Sequence, residues 1–173
     1  AERVALTGFE ARAHQHSGPV ARRKVTRAMV TVIEGCAQHC TFCVVPHTRG
    51  PEVSRPAREI LAEVRALAGT GVSDVTLLGQ TVNSYAWEGW SFPRLLREVA
   101  RVDGIRRVWF TSPHPNDVTP EMVEVMATEP SVCETLHLPA QSGSDRTLKR
   151  MLRRYTVDGY LRKVELVRSA IPG

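Results

Sequence analysis

Ala28-Met-Val-Thr-Val-Ile-Glu-Gly-Cys36-Ala-Gln-His-Cys40-Thr-Phe-Cys43 joins two signals in sixteen residues. Residues 28–33 form a mostly apolar run rich in β-branched side chains, which predicts a strand buried on both faces. The run leads straight into three cysteines spaced C-x3-C-x2-C. Short spacers bring three sulfurs to one side of a single turn, the arrangement that holds three corners of a cubane iron-sulfur cluster and leaves the fourth iron without a protein ligand. Zinc is the other reading of clustered thiols. It needs a fourth ligand to complete a tetrahedron, for which His39, His47 and Cys133 are the candidates, but it normally presents two separated ligand pairs rather than three cysteines on one loop.

Working outward from this stretch, the remaining chain supplies alternating helices and strands. Residues 57–68 place Ile60, Leu61, Val64, Leu67 and Ala68 on one helical face, with Pro56 before them and Gly69 and Gly71 after. Residues 74–78 read as a second strand ending at Gly79-Gln80, followed by a loop as far as Trp90. Ser91 caps a helix whose apolar face is Phe92, Leu95, Leu96 and Val99. Residues 107–111 form a third strand, closed by Ser112-Pro-His-Pro-Asn116, and Thr119-Pro120 opens a helix with Met122, Val123 and Met126 inward. A fourth strand is expected over about residues 134–138. Ser144 then caps a short helix, and Thr156 caps another with Val157, Tyr160, Leu161, Val164 and Val167 on one stripe.

This order predicts an α/β fold of parallel strands joined through helices. Four such units do not close a barrel, which takes about 250 residues for its eight. Ligands in parallel α/β folds collect at the carboxyl ends of the strands. All four post-strand loops carry chemistry: the cysteine triplet, Gly79-Gln80, Ser112-Pro-His114-Pro and His137-Leu-Pro-Ala-Gln141-Ser142-Gly-Ser144.

Composition narrows the class. The chain has 173 residues, 42% hydrophobic and 24% charged, which excludes long disorder, collagen and coiled coil. No apolar run approaches the roughly 20 residues of a membrane helix. Residues 1–24 have no uninterrupted apolar core and do not read as a signal peptide. Clustered thiols without a secretion signal fit a reducing, cytoplasmic setting. Twenty-three Lys and Arg against 18 Asp and Glu leave a charge of +5. Arg22 to Lys24, Arg106, Arg107, Lys149, Arg150, Arg153 and Arg154 supply the clusters, which suit either phosphate partners or solvated helix faces.

The cysteine triplet after the first strand, with Phe42 immediately before the third cysteine, resembles the signature of the radical S-adenosylmethionine (SAM) superfamily. Several segments narrow the resemblance: Cys43-Val-Val-Pro-His-Thr-Arg-Gly50, Ser54-Arg-Pro56, Leu77-Leu-Gly-Gln-Thr-Val-Asn-Ser-Tyr85, Thr111-Ser-Pro-His-Pro115, His137-Leu-Pro-Ala-Gln-Ser-Gly-Ser-Asp145 and Arg153-Arg-Tyr-Thr156. In this order they resemble the radical SAM methylthiotransferases, and within those the branch that acts on dimethylallyladenosine in tRNA. The sister branch modifies an aspartate of a ribosomal protein.

The resemblance implies a partial TIM-like (β/α) barrel of the radical SAM type, truncated after about four βα units. Residues 1–26 would be a linker from an N-terminal domain carrying a second [4Fe-4S] cluster, and residues 27–173 an incomplete core of a longer enzyme. The implied reaction adds a methylthio group to carbon 2 of the modified adenosine beside the anticodon. One SAM donates a methyl group, and a second is cleaved reductively to the deoxyadenosyl radical that removes hydrogen from that carbon. The implied cofactors are a [4Fe-4S] cluster on Cys36, Cys40 and Cys43 and SAM itself. The implied partners are tRNA and an electron donor such as flavodoxin, with the protein a monomer that touches no membrane.

Site roles follow from the same resemblance. Phe42 would lie against the adenine of SAM, or be a packed loop aromatic. Gly79 and Gln80 would meet the SAM amino group, or form an ordinary strand-ending turn. Gln141 and Ser142 would bond the ribose or amino acid of SAM, or cap the next helix. No catalytic acid-base pair is expected, and His39, His47, His114 and His137 are given no catalytic role. Tyr85, Trp87 and Trp90 would stack on a splayed base or form a lid on the barrel rim. Cys133 is expected to be a buried small hydrophobe.

Overall fold

The computed structural model of the protein describes residues 25–172. The expected linker therefore lies outside the described residues except at Val25 and Thr26. The chain begins with β1 (Arg27–Thr31) and β2 (Ile33–Glu34), then the cysteine loop, α1 (Val45–Arg49) and β3 (Val53–Ser54). Next come α2 (Ala57–Gly69), β4 (Asp74–Leu78), the hairpin β5 (Ala86–Trp87) and β6 (Trp90–Ser91), and α3 (Phe92–Ala100). β7 (Arg107–Phe110), α4 (Pro120–Thr128), α5 (Asp145–Arg150) and α6 (Val157–Ala170) complete the order.

β1, β4 and β7 form one parallel sheet in that spatial order, with Ala28 beside Val75 beside Val108, and Val30 beside Leu77 beside Phe110. Those six side chains share the face that packs against the helices, where they meet Ile60, Leu61 and Val64 of α2, Leu95, Leu96 and Val99 of α3, and Met122, Val125 and Met126 of α4. Phe92 and Phe110 meet edge to face with centroids 5.3 Å apart. Polar caps start α3 and α4 where the sequence predicts: Ser91 Oγ accepts from the Arg94 amide and Thr119 Oγ1 from that of Met122.

The sheet is covered on one face only, which corrects the expectation for β1. Its burial alternates, and Met29, beside Thr76 and Trp109, is 58% exposed. On this open face Asp74 lies 3.9 Å from both Arg27 and Arg107, and the Arg27 guanidinium stands over the Trp109 ring. An apolar run cannot distinguish burial by helices from burial by further strands, because both accept the same side chains.

The fourth strand is also corrected. Residues 134–138 make no ladder, and the chain joins the sheet only through a parallel bridge between Val108 and Val132. Among the described residues no strand lies on the far side of this segment, and Pro139 lacks an amide to donate. α6 is correspondingly half-covered: it packs on α4, yet no residue of it is fully buried and Leu161 is 55% exposed. Three features were not expected, the first being the short helix α1 over Val45–Arg49. The β2–β3 ribbon pairs Ile33 with Ser54 and Glu34 with Val53, and the β5–β6 hairpin turns through Glu88 and Gly89 at positive φ, as a tight two-residue turn requires.

Candidate functional site: the cysteine end of the sheet

The β2–β3 ribbon sets the root of the cysteine loop. Gly35 has φ +71, and a Cβ there would fall 1.9 Å from the Pro51 carbonyl oxygen, so only glycine lets the two strands approach this closely. The Cys36 amide donates to the Gly50 carbonyl at 3.3 Å. Arg55, 3% exposed, donates from Nη1 to the Thr31 carbonyl at 2.5 Å and to Glu63 Oε2 on α2 at 2.9 Å. Its backbone amide donates to the Val32 carbonyl, and its own carbonyl accepts from the Tyr85 hydroxyl at 2.7 Å. The buried guanidinium thus ties the end of β1 to α2 and to the loop after β4. Sequence reading missed it, because only burial separates this arginine from the surface ones.

Within the loop, Cys36 is buried while Cys40 and Cys43 are half-buried. Burial pushes the Cys40 thiol up, the nearby Arg153 guanidinium opposes this, and Cys36 and Cys43 push it further up, so the three sulfurs feel one another. Among the described residues no three His, Cys, Asp or Glu side chains are gathered closely enough to hold one metal ion. A cubane takes one thiolate on each of three irons, a donor set that three cysteines on one loop can supply. Cys133 is excluded as a fourth ligand. Its amide donates to the Val108 carbonyl, and its thiol lies within reach of Arg107, Asp74 and Arg27 at the starting ends of the strands. It is half-buried rather than fully buried. His39 and His47 are exposed.

The other predicted residues divide. Phe42 is 59% exposed with the Arg153 guanidinium 5.5 Å from its ring centre, so it is not a packed loop aromatic. Gly79 serves packing: a Cβ there would lie 2.3 Å from Ile33 Cγ2. Gln80 keeps a buried Oε1 with no hydrogen-bond partner, an acceptor suited to an ammonium donor. Gln141 is exposed and left-handed at φ +67, and Ser142 Oγ accepts from the Ser144 amide. Neither Ser142 nor Ser144 caps α5 through its side chain. The stretch that carries them is held instead by tyrosines, Tyr155 donating to the Ala140 carbonyl and Tyr160 to that of Leu138. A pairing of hydroxyls with carbonyls this far apart in sequence leaves no local pattern to read.

The loop after β4 is clamped to the loop after β7. Asn83 accepts from the His114 amide at 2.7 Å and donates to its carbonyl at 3.0 Å. His114, 5% exposed, accepts through Nδ1 from the Asn116 amide and leaves Nε2 unpartnered. Burial, reinforced by Arg153, pushes its imidazole down to about 4, which keeps it neutral. His137 is exposed. Trp87 and Trp90 pack against the core, Trp90 beneath the Arg94 guanidinium at 4.1 Å, and Tyr85 is buried.

The α5–α6 junction closes the site. The Thr41 amide donates to the Met151 carbonyl and its hydroxyl to that of Arg150. A cavity of about 440 Å³ opens between loop and junction, lined by Gln38, His39, Asp145, Lys149, Leu152 and Arg153 among others. Of the five non-glycine residues at positive φ among the described residues, His39, Ser112, Gln141 and Leu152 belong to these loops. Left-handed backbone costs about 1–3 kcal/mol per residue, and such residues cluster where surrounding structure over-determines a functional arrangement.

Three neighbouring thiols on the loop after the first strand of a parallel sheet place the chain in the α/β class with a candidate cluster loop. The radical SAM superfamily model matches residues 30–173, and the chain belongs to that superfamily. It is 51% identical over 159 residues to the tRNA-2-methylthio-N(6)-dimethylallyladenosine synthase of Paracoccus denitrificans, covering 89% of this chain and 36% of that protein. The synthase of the same name from Anaeromyxobacter sp. is 50% identical over 99% of this chain and 38% of its own length. That of Thermotoga petrophila is 45% identical over 99% and 39%. The chain thus spans well under half the length of these relatives. Among solved structures, the radical SAM methyltransferase TsrM from Kitasatospora setae superposes with a TM-score of 0.65 at 21% identity, covering 82% of this chain and 28% of its own, a likeness of fold.

Proposed function

We propose that residues 27–173 are the cluster- and SAM-binding core of an enzyme that adds a methylthio group to carbon 2 of dimethylallyl-modified adenosine beside the tRNA anticodon. The observation that carries this reading is the position of Cys36, Cys40 and Cys43 at the carboxyl end of β1 in a chain about half identical to synthases named for that product. Bound there, a [4Fe-4S] cluster and SAM supply the one-electron, radical-generating chemistry.

The chain's own residues hold and orient. Cys36, Cys40 and Cys43 bind three irons, leaving one for SAM. Gln80 offers its unpartnered Oε1 to the SAM ammonium, and Phe42 presents an open face to the adenine. Gln141 and Ser142, on a backbone fixed by Tyr155 and Tyr160, face the remaining polar groups of SAM. Lys149, Arg150, Arg153 and Arg154 give the same end of the molecule positive charge for the tRNA backbone. The expected remainder of the system is a second [4Fe-4S] cluster in a preceding domain, a flavodoxin-type donor, a cytoplasmic setting and a monomeric enzyme.

Anaerobic reconstitution with iron and sulfide tests the core. The expected product is a brown protein whose reduced cluster changes its paramagnetic spectrum on adding SAM; a colourless protein retaining stoichiometric zinc overturns the reading. The substrate is tested by assaying the full-length enzyme on tRNA bearing dimethylallyladenosine. Methylthio-tRNA is expected, and modification of a ribosomal-protein aspartate without it would reassign the substrate. The 173-residue chain by itself is expected not to complete methylthiolation.

A further inference from the structure

Cys36 differs from its two partners in what surrounds its sulfur. Thr81 Oγ1 lies 3.5 Å from Cys36 Sγ, and the Gln38 amide donates to the same sulfur at 3.5 Å. Among the described residues no side-chain hydroxyl reaches the sulfur of Cys40 or Cys43, and the Cys40 thiol has only its own backbone as a hydrogen-bond partner. Thr81 is 2% exposed, and among the described residues Cys36 Sγ is the one hydrogen-bond partner of its hydroxyl. A sulfur bound to iron carries no proton, so in a loaded site the hydroxyl is the donor.

The threonine has little freedom to point elsewhere. Its carbonyl accepts from the Ser84 hydroxyl at 2.7 Å and the Ser84 amide at 3.1 Å. The next residue, Val82, donates its amide to the Ser112 carbonyl, and Asn83 is clamped to His114. A β-branched side chain on backbone held from both sides has a restricted χ1.

We propose that Thr81 is a positioning residue whose hydroxyl, donating to Cys36 Sγ, raises the reduction potential of the cluster. The inference rests on the cluster assignment made above. Taking up one electron from a low-potential donor adds one negative charge to the cluster, and part of it resides on the thiolate sulfurs. A donor aimed at one of those sulfurs from a buried position stabilises the reduced state more than the oxidised one. Hydrogen bonds to sulfur and burial are two of the levers by which a protein sets such potentials. Thr81, carried on the loop after β4, thereby couples that loop to the electronic state of a cluster rooted after β1.

The test compares the parent chain with Thr81→Val, Thr81→Ala and Thr81→Ser, all reconstituted anaerobically with iron and sulfide. Each is titrated with dithionite in the presence of viologen mediators while the paramagnetic signal of the reduced cluster is followed. Removing the hydroxyl is expected to shift the one-electron equilibrium about tenfold toward the oxidised form, a potential lower by about 59 mV. Thr81→Ser is expected to stay within about twofold of the parent. Thr81→Ala keeps the test open should the valine methyl disturb folding. Hydroxyl-free variants that titrate at the parent potential, or a serine variant shifted as far as they are, overturn the role of Thr81 while leaving the cluster assignment intact. A parent chain that takes up no cluster overturns both.

Discussion

The hydroxyl of Tyr85 donates to the backbone carbonyl of Arg55 at 2.7 Å, and both residues are almost wholly buried. Tyr85 belongs to the loop after β4, while Arg55 grips the end of β1 through the Thr31 carbonyl and α2 through Glu63. Burial pushes the Tyr85 phenol up to about 12, so it remains a protonated donor at neutral pH. This pair joins the two loops from which cluster ligands and SAM contacts are proposed to come.

Tyr85→Phe removes one buried donor and leaves the Arg55 carbonyl unpaired, at a cost of about 1–2 kcal/mol. Arg55→Met leaves the Thr31 carbonyl without its partner and Glu63 partly stranded. Because Glu63 is one-third exposed, the loss should fall near the lower end of the range for broken buried pairs, about 3 kcal/mol. Urea unfolding of the three proteins checks both values; equal midpoints for Arg55→Met and the parent would refute the clamp.

His114 makes stability depend on pH in a defined window. Its folded pKa of about 4 lies below the unfolded value near 6.5, so the unfolded chain binds the proton more readily. The contribution is fully present above about pH 6.5 and is lost as pH falls toward 4, on the order of 3 kcal/mol in all. Glu52 and Asp117, pushed up by burial, act in the opposite sense, so the measurement is a comparison. His114→Gln should flatten the loss of unfolding free energy between pH 6.5 and 4, and a parallel profile would count against it.

Gly79→Ala places a methyl group 2.3 Å from Ile33 Cγ2, a clash that repacking relieves only partly. A loss of about 1–3 kcal/mol is expected. Ile33→Ala removes the colliding atom, so the two substitutions should couple favourably in a double-mutant cycle. Strict additivity would show that Gly79 is required for something other than this contact.

Phe42→Ala should leave the melting temperature unchanged, since the ring packs on little besides Arg153. If the ring lies against the adenine, SAM binding to the reconstituted chain weakens about fivefold to tenfold, as loss of one stacking contact does. Calorimetry measures it, and undiminished affinity would remove Phe42 from the site.

Cys36→Ser, Cys40→Ser and Cys43→Ser should each reduce the iron retained after reconstitution, whereas Cys133→Ser should retain the parent amount. Cys133 lies with Asp74 and Arg107 at the far end of the strands. Equal iron loss in all four would contradict the assignment.

Local pattern accounts for much of what was legible in advance. The apolar spacing of Ile60, Leu61 and Val64 defined α2, Ser91 and Thr119 marked helix starts by the hydroxyls they offer, and three cysteines on one loop implied a cluster because thiolate spacing is a covalent property of the chain. Residues 134–138 show the limit. They have the composition of a strand, but the chain holds the free edge of β7 only at the Val108–Val132 bridge and makes no ladder beyond it.

The sequence by itself therefore determined helices α2 to α6, the parallel direction of the three strands and the choice of candidate cluster ligands, since these follow from local spacing and from the alternation of strands and helices along the chain. Only the tertiary structure decided that Arg55 is a buried clamp, that Gly79 yields space to Ile33, that Asn83 holds His114, and that Thr81 rather than any other hydroxyl faces Cys36. Each of these is a contact across thirty or more residues or a matter of burial. Such contacts depend on how packed elements sit against one another, and no spacing along the chain encodes it.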